Sequence, residues 1–230
     1  DYLVAPLSNP VNDARLVART LQDVGFEVGL LENATLREMK DGIRQGIIEA
    51  RNSSARILYY AGHGTQYQGQ NFIVPVDLQI HQERQIRREA LQLSDVVQSL
   101  SAQTSGVNLV IVDACRTDPS ALLARNGSRT RSLDDPLLPG FVPEMGPGGT
   151  VVSDSTAPGA LAADGIGSQN SVFTEALARE MNWPGMPIED LFKKVRISVM
   201  RATRNAQIPW ERSSLVGEFC ILRDAQGGCG

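Results

Sequence analysis

The sequence predicts an α/β fold in which helices cover both faces of a mostly parallel sheet. Short apolar segments such as residues 107–112 do not alternate with polar residues, which is typical of strands buried on both faces. Segments with apolar residues at helical spacing separate these strands. The 230 residues, 42% of them hydrophobic, are enough for one core, so we expect a single domain over residues 1–230.

Apolar residues at helical spacing predict five helices. The first, residues 12–24, carries one apolar stripe and is followed by Gly25, a residue type that often ends helices. The second, residues 35–51, begins behind a capping residue that is either Asn33 or Thr35. Three more helices are expected at residues 94–102, with Ser94 as the cap, and near residues 171–181 and 188–202.

Short apolar segments between these helices predict the strands of the sheet. They comprise residues 26–31, 56–61, 71–74, 107–112, 149–153 and, as a closing strand, 217–222. A stretch rich in proline and glycine, from about residue 116 to 148, interrupts the alternation. A loop of this length in a compact domain is usually functional or disordered.

Charge and cysteine content limit the partners and the compartment. A net charge of -4 without a sustained basic segment leaves little electrostatic attraction for nucleic acid. No apolar segment approaches the roughly 20 residues that span a bilayer, and no leader-like segment opens the chain. We therefore expect neither a nucleic-acid nor a membrane partner, and a cytoplasmic location. Because Cys115, Cys220 and Cys229 cannot all pair within one chain, a disulfide framework is improbable, and a reducing compartment or a working thiol is favoured.

One histidine and one cysteine occupy equivalent places in the predicted sheet. His63 follows the strand at 56–61 and Cys115 follows the strand at 107–112, beyond the carboxyl ends where α/β sheets bind ligands. A thiol attacks as its thiolate, and a neighbouring imidazole can take its proton. The pair therefore predicts Cys-His catalysis, against the alternative of an ordinary buried cysteine and a turn histidine. Too few ligands surround Cys115 for a zinc site, so we expect no metal and no cofactor.

Six segments resemble, in order, motifs of bacterial caspase-like peptidases, which are relatives of metacaspases and paracaspases. The run Tyr-Tyr-Ala-Gly-His-Gly at 59–64, followed by 69–75, resembles the catalytic histidine region, and the run Val-Ile-Val-Asp-Ala-Cys-Arg at 110–116 resembles the nucleophile strand. The other matching segments are 9–14, 155–159 with 163–165, 170–174 and 207–215.

The resemblance implies a caspase-like three-layer sandwich and a cysteine endopeptidase. Cys115 would attack a peptide carbonyl, His63 would act as acid and base, and the backbone N–H groups of Gly64 and Cys115 would form the oxyanion hole. Many metacaspases depend on calcium. No dedicated acidic cluster stands out in this sequence, so calcium dependence is possible but not indicated. One alternative is a non-catalytic caspase-like scaffold. Another is a flavodoxin-like or other ligand-binding domain, which would require a phosphate-binding glycine-rich loop that the sequence does not contain.

Two aspartates suggest the specificity of the peptidase. Asp113, two residues before Cys115, stands where caspases that cut after aspartate have a glutamine, and Asp13, in the helix-opening motif, resembles the pocket aspartate of metacaspases and paracaspases. Two carboxylates in one pocket would bind Arg or Lys before the cut and repel Asp. In the alternative reading, Asp13 caps its helix and Asp113 satisfies local backbone amides. Asp154 and Asp164 are weaker candidates for a third acid.

Two further expectations follow from the resemblance. Family members normally begin with an apolar strand ahead of the motif at 9–14, and residues 1–6 are too short and too soon broken by proline to supply it. A central strand is therefore expected to be missing. The loop from about 116 to 148 holds Arg125, Arg129 and Arg131, so an Arg-directed peptidase is expected to cut itself there. The oligomeric state stays open.

Overall fold

The structure is a computed structural model that describes residues 2–3, 6–102, 106–116, 122, 146–157 and 169–229, with the backbone alone at 115 and 116. The helices within these ranges are α1 Pro10–Asp23, α2 Leu36–Glu49, α3 Ile86–Glu89, α4 Leu93–Ser101, α5 Val172–Glu180 and α6 Ile188–Ala202. The strands are β1 Ala55–Tyr67, β2 Gln70–Ile73, β3 Leu91–Gln92, β4 Val107–Arg116, β5 Thr150–Asp154 and β6 Trp210–Ser213.

The six strands form one mixed sheet in the order β3-β2-β1-β4-β5-β6. The central pairs β1–β4 and β4–β5 are parallel, and the outer pairs β1–β2, β2–β3 and β5–β6 are antiparallel. As a result β1, β3, β4 and β5 run in one direction and only β2 and β6 oppose them. The predicted fold class, a mostly parallel sheet within a three-layer α/β sandwich, is confirmed.

The side chains of β4 show how the three layers are held together. Leu109 and Ile111 pack into a cluster with α1, α5 and α6 on one face of the sheet. Val110 and Val112 pack into a second cluster with α2 and α4 on the opposite face. Since successive side chains of a strand point to opposite faces, the unbroken apolar segment belongs simultaneously to both cores. A third, smaller cluster lies around Phe72, Ile80 and Ile86.

All five predicted helices are confirmed with small shifts at their ends. The capping residue of α2 is Thr35, whose side chain accepts from the backbone N–H of Glu38 while the Glu38 carboxylate accepts from the backbone N–H of Thr35. The cap predicted for α4 is wrong. Gln92 precedes that helix without a capping side-chain bond, and Ser94 lies inside it, where its hydroxyl accepts from the side chain of Gln92.

Two predicted strands are wrong, and both errors come from apolar segments that pack without pairing. Residues 26–31 are extended, but among the described residues they pair with no strand. Residues 217–222 contribute only a single bridge, from Cys220 to Pro187. Phe26, Val28 and Phe219 pack against the cluster around α5 and α6, which explains their apolar character. The closing strand is instead β6, a short polar segment that the sequence pattern does not single out.

A groove of about 1160 Å³ runs beside the first half of β1. It is lined by β1, by α1 and α2, and by residues 26–31. Among the described residues, strand pairing on this side of β1 begins only at Gly64, opposite Ile73. The expectation that a central strand is missing stays a prediction.

The structure corrects the expectation about cysteines. Cys220 and Cys229 form a disulfide with a Cα–Cα distance of 5.6 Å, and Cys115 is the odd cysteine of the three. Disulfides are uncommon in reducing compartments, so this bond removes the reason for expecting that the protein resides in a reducing compartment. Within the described part of the chain, every helix is too short or too polar to traverse a lipid bilayer.

Candidate active site

The register between β1 and β4 brings the backbones of His63 and Cys115 side by side. The two strands are parallel, and His63 is the direct partner of Cys115, as Ala61 is of Asp113 and Gly64 is of Arg116. The expectation that both residues follow their strands is wrong, because both lie within the last residues of the strands. β1 continues beyond His63 because its later residues pair with β2, beginning at Gly64. Gly64, predicted for the oxyanion hole with Cys115, is thus where β1 gains its second neighbour.

Two tyrosines hold His63 in place. The side chain of His63 is buried, with 3% exposure, and the ring of Tyr2 packs edge-on against it at a centroid distance of 4.4 Å. The Tyr2 hydroxyl accepts from the backbone N–H of His63 at 3.0 Å. The Tyr60 hydroxyl lies 2.8 Å from the His63 carbonyl and 2.9 Å from that of Val74. The histidine is therefore anchored through its backbone as well as its ring.

Gly62 is required by this packing. Its φ of +156° is rare for residues with a side chain, and a Cβ there would lie 2.1 Å from the Tyr2 hydroxyl and 2.6 Å from that of Tyr60. Real Cβ atoms essentially never approach other heavy atoms this closely. The glycine before the histidine is thus explained by the two tyrosines.

The two predicted pocket acids meet at one residue, Ser171. Asp13 lies in the first turn of α1 and Asp113 near the end of β4, and both are buried, with 2% and 7% exposure. One carboxylate oxygen of Asp13 accepts from the backbone N–H of Ser171 and from the side-chain amide of Asn170, both at 2.9 Å. A carboxylate oxygen of Asp113 accepts from the Ser171 hydroxyl.

Both acids reach residues of α5 that are far away in the sequence. Asp13 binds the residues that open α5, whereas no side-chain bond from Asn9 caps the start of α1. Asp113 accepts from two hydroxyl groups, those of Ser171 and of Thr174, the latter at 2.8 Å. Both carboxylates are therefore held at the N-terminus of α5, where the helix dipole and the first N–H groups favour negative charge.

Tyr59 extends this network. Its hydroxyl hydrogen-bonds to the side-chain oxygen of Thr174, which in turn donates to Asp113. Burial, together with the negative charges of Asp113 and Asp13, raises the pKa of Tyr59 well above its usual value. Tyr59 therefore stays protonated and can act as a donor at neutral and mildly alkaline pH.

A third acid of the predicted set, Asp154, is in an ion pair. One of its carboxylate oxygens lies 3.2 Å from the guanidinium of Arg212, and both side chains are largely buried. Asp164, the other weaker candidate, and the predicted cleavage segment at 125–131 lie outside the described residues. Within the described ranges, no group of three or more His, Cys, Asp or Glu side chains is arranged to hold a metal ion.

Sequence reasoning missed five residues of this site: Tyr2, Tyr60, Ser171, Thr174 and Arg212. Ser171 and Thr174 lie in the motif at 170–174, and Arg212 lies in the motif at 207–215. Ser171 also carries the signal of a capping residue, since a serine directly before an apolar helix commonly caps it. Tyr60 lies in the motif around His63, whereas Tyr2 carried no such signal, because an isolated aromatic residue is most often part of a core.

Comparisons with known proteins agree with this architecture. The family model described as the caspase domain matches residues 1–220. The mucosa-associated lymphoid tissue lymphoma translocation protein 1 of Homo sapiens and its homolog of Mus musculus are each 28% identical over 111 residues, which are 48% of this chain and 13% of the relative. The chain therefore spans a small part of these relatives.

Solved structures share the fold. The crystal structure of caspase-1 from Spodoptera frugiperda superposes with a TM-score of 0.65 at 17% identity, covering 96% of this chain and 84% of that one. The structure of pro-sf-caspase-1 superposes with a TM-score of 0.64 at 16% identity, covering 93% of this chain and 82% of that one. At such low identity the likeness concerns the fold alone.

Proposed function

Because this chain belongs to the family of caspase-like peptidases, we propose that it is a cysteine endopeptidase that cuts proteins or peptides after Arg or Lys with a Cys-His pair. The observation that carries the proposal is the direct pairing of His63 with Cys115 in neighbouring parallel strands. Residues about 50 positions apart in the sequence thereby stand at the same level of one sheet, as a nucleophile and its proton carrier require.

The proposed reaction has two steps. The Cys115 thiol gives its proton to His63, the thiolate attacks the peptide carbonyl carbon to form a C–S bond, and the C–N bond breaks as the amine leaves with that proton. Water then attacks the thioester and gives a proton to His63, the C–S bond breaks, and the acid and the Cys115 thiolate are released; the protonated His63 can return its proton to the sulfur. Backbone N–H groups of Gly64 and Cys115 would stabilise the oxyanion in both steps. The tyrosines around His63 support this role by limiting the movement of the imidazole.

The proposed specificity rests on Asp13 and Asp113. Both are buried acids, they share Ser171 as a partner, and Asp113 lies two residues before the candidate nucleophile. Carboxylates that face the residue before the cut would bind a guanidinium or ammonium through charge-assisted hydrogen bonds. The same charges would repel a substrate whose residue before the cut is acidic.

A panel of fluorogenic peptides that differ only in the residue before the cut tests the proposal. We expect cleavage after Arg and Lys, none after Asp, and complete loss of cleavage in Cys115→Ala and in His63→Ala. The chain has only one other histidine, the exposed His81, so His81→Ala is the matched control and should stay active. An inactive wild type would favour the non-catalytic scaffold, and a preference for Asp would contradict the proposed pocket.

The panel is also run with and without calcium. An activity that appears only with calcium would show a metal requirement. The peptidase chemistry and its specificity are read separately, because loss of all cleavage concerns His63 and Cys115, whereas a changed preference concerns the two acids.

A further inference from the structure

We propose that Ser171 is a positioning residue for substrate specificity, which holds Asp13 and Asp113 at the separation and orientation that a basic side chain requires. The inference rests on the proposed function, because it assumes that these acids receive the residue before the cut. Ser171 is suited to the task because it is in direct contact with both carboxylates, although they belong to elements about 100 residues apart in the sequence.

Each polar group of Ser171 has a separate partner. Its backbone N–H donates to Asp13 at 2.9 Å, and its hydroxyl donates to Asp113. The same hydroxyl accepts from the backbone N–H of Thr174 at 2.9 Å, which caps α5. Since the N-terminal turn of α5 fixes the serine, and the serine binds both acids, the helix sets the relative position of the two carboxylates.

The direction of the hydrogen bonds removes the remaining freedom. An ionised carboxylate only accepts, so the hydroxyl protons of Ser171 and Thr174 both go to Asp113. Thr174 has then spent its only proton, and Tyr59 must donate to it. Each hydroxyl in the series of hydrogen bonds that leads from Tyr59 through Thr174 to Asp113 thus has one orientation. The Asp113 carboxylate is therefore fixed before any substrate arrives.

The donors also favour the charged form of the acids. Both carboxylates are almost completely buried, and burial alone disfavours the charge. The N–H and O–H donors at the N-terminus of α5 offset this effect without supplying a positive charge of their own. An ionised and fixed pair of acids would select a cationic side chain, whereas a mobile or neutral pair would discriminate less.

Two peptide substrates test the inference. They differ only in the residue before the cut, which is Arg in one and citrulline in the other. Citrulline has nearly the shape of arginine but no charge, so the ratio of the two kcat/KM values reports the acidic pocket. We expect Ser171→Ala to lower kcat/KM for Arg by about 10- to 100-fold, the usual effect of losing a hydrogen bond to a charged group. The loss should lie mainly in KM, and cleavage after citrulline should change little.

Several variants separate positioning from a merely structural role. Ser171→Thr keeps the hydroxyl and should restore the Arg preference, and Thr174→Val, which removes the second hydroxyl on Asp113, should lower it. Thr35→Ala is the matched control: it removes the cap of α2 and should lower stability without changing the ratio. If Ser171→Ala does not fold, Ser171→Gly replaces it, because glycine is tolerated better than alanine at a cap position.

The outcomes distinguish this inference from the proposed function. An Arg preference in the wild type that persists in Ser171→Ala and Thr174→Val, or equal losses for Arg and citrulline, would overturn the inference and leave the proposed function intact. A wild-type peptidase without any preference for Arg or Lys would overturn the proposed specificity, and the inference with it.

Discussion

Removing the Cys220–Cys229 disulfide should destabilise the protein by an amount that can be worked out from its loop. The two cysteines are nine positions apart, so the bond closes a loop of about ten residues. In the chain-entropy description, a loop of this size contributes about 2.7 kcal/mol to the free energy of unfolding. For a chain of this length, that corresponds to a fall in Tm of about 5 to 11 °C.

Local hydrogen bonds within the loop would make the measured loss of stability smaller than this estimate. Asp224 accepts from the backbone N–H groups of Gln226 and Gly228, and Arg223 donates to the carbonyl of Gly227. If these local bonds persist in the unfolded chain, they already restrict the loop, and the measured effect will be smaller. In the folded protein, the bridge between Cys220 and Pro187 ties the loop to the start of α6.

The assay is thermal unfolding followed by circular dichroism, with and without reductant. Wild type should lose stability when reductant is added, whereas Cys229→Ser should start at the lower Tm and ignore the reductant. Cys115→Ala is the control, because it also lacks one thiol but keeps the disulfide, and it should respond like wild type. An unchanged Tm of wild type on reduction, or loss of the response in Cys115→Ala, would refute the reasoning.

Three more predictions concern the site and the long loop. Gly62→Ala should lower both Tm and peptidase activity, because the new Cβ would overlap the tyrosine hydroxyls. The free energy of unfolding measured in urea should fall as pH rises above about 10, because Tyr59 ionises at such pH in the unfolded chain but stays protonated in the folded protein. Tyr59→Phe should flatten this pH dependence. Active protein should cut itself within residues 125–131, and intact-mass measurement should show no cut in the variant without the candidate nucleophile.

The sequence predicts those elements whose apolar residues have a clear period. α1, α2, α5 and α6 carry amphipathic stripes, and β4 is an unbroken apolar segment between two layers of helices. It fails where an extended segment needs a neighbour to become a strand. Residues 26–31 have the composition of a strand but no described partner, whereas β6 is polar and becomes a strand because it pairs with β5.

The candidate site shows the same limit. Placement near the carboxyl ends of buried strands suffices to bring His63 and Cys115 to one edge of the sheet, but their direct pairing depends on a register that no local pattern reveals. The local roles considered for Asp13 and Asp113 give no hint of Ser171, which contacts both acids and follows Asp13 by 158 positions. Contacts over such separations are set by the packing of α1 against α5, and not by neighbouring residues.

The alignment of His63 with Cys115 is maintained by residues outside the site. Leu109 and Ile111 belong to one core, and Val110 and Val112 to the other. Sliding β4 by one residue would exchange these two pairs between cores of different shape, so the cores resist the slip. The number of residues joining β1 to β4 does not enter into this resistance. An insertion in the connection between β1 and β4 can therefore add residues between His63 and Cys115 in the sequence without changing their pairing in the sheet.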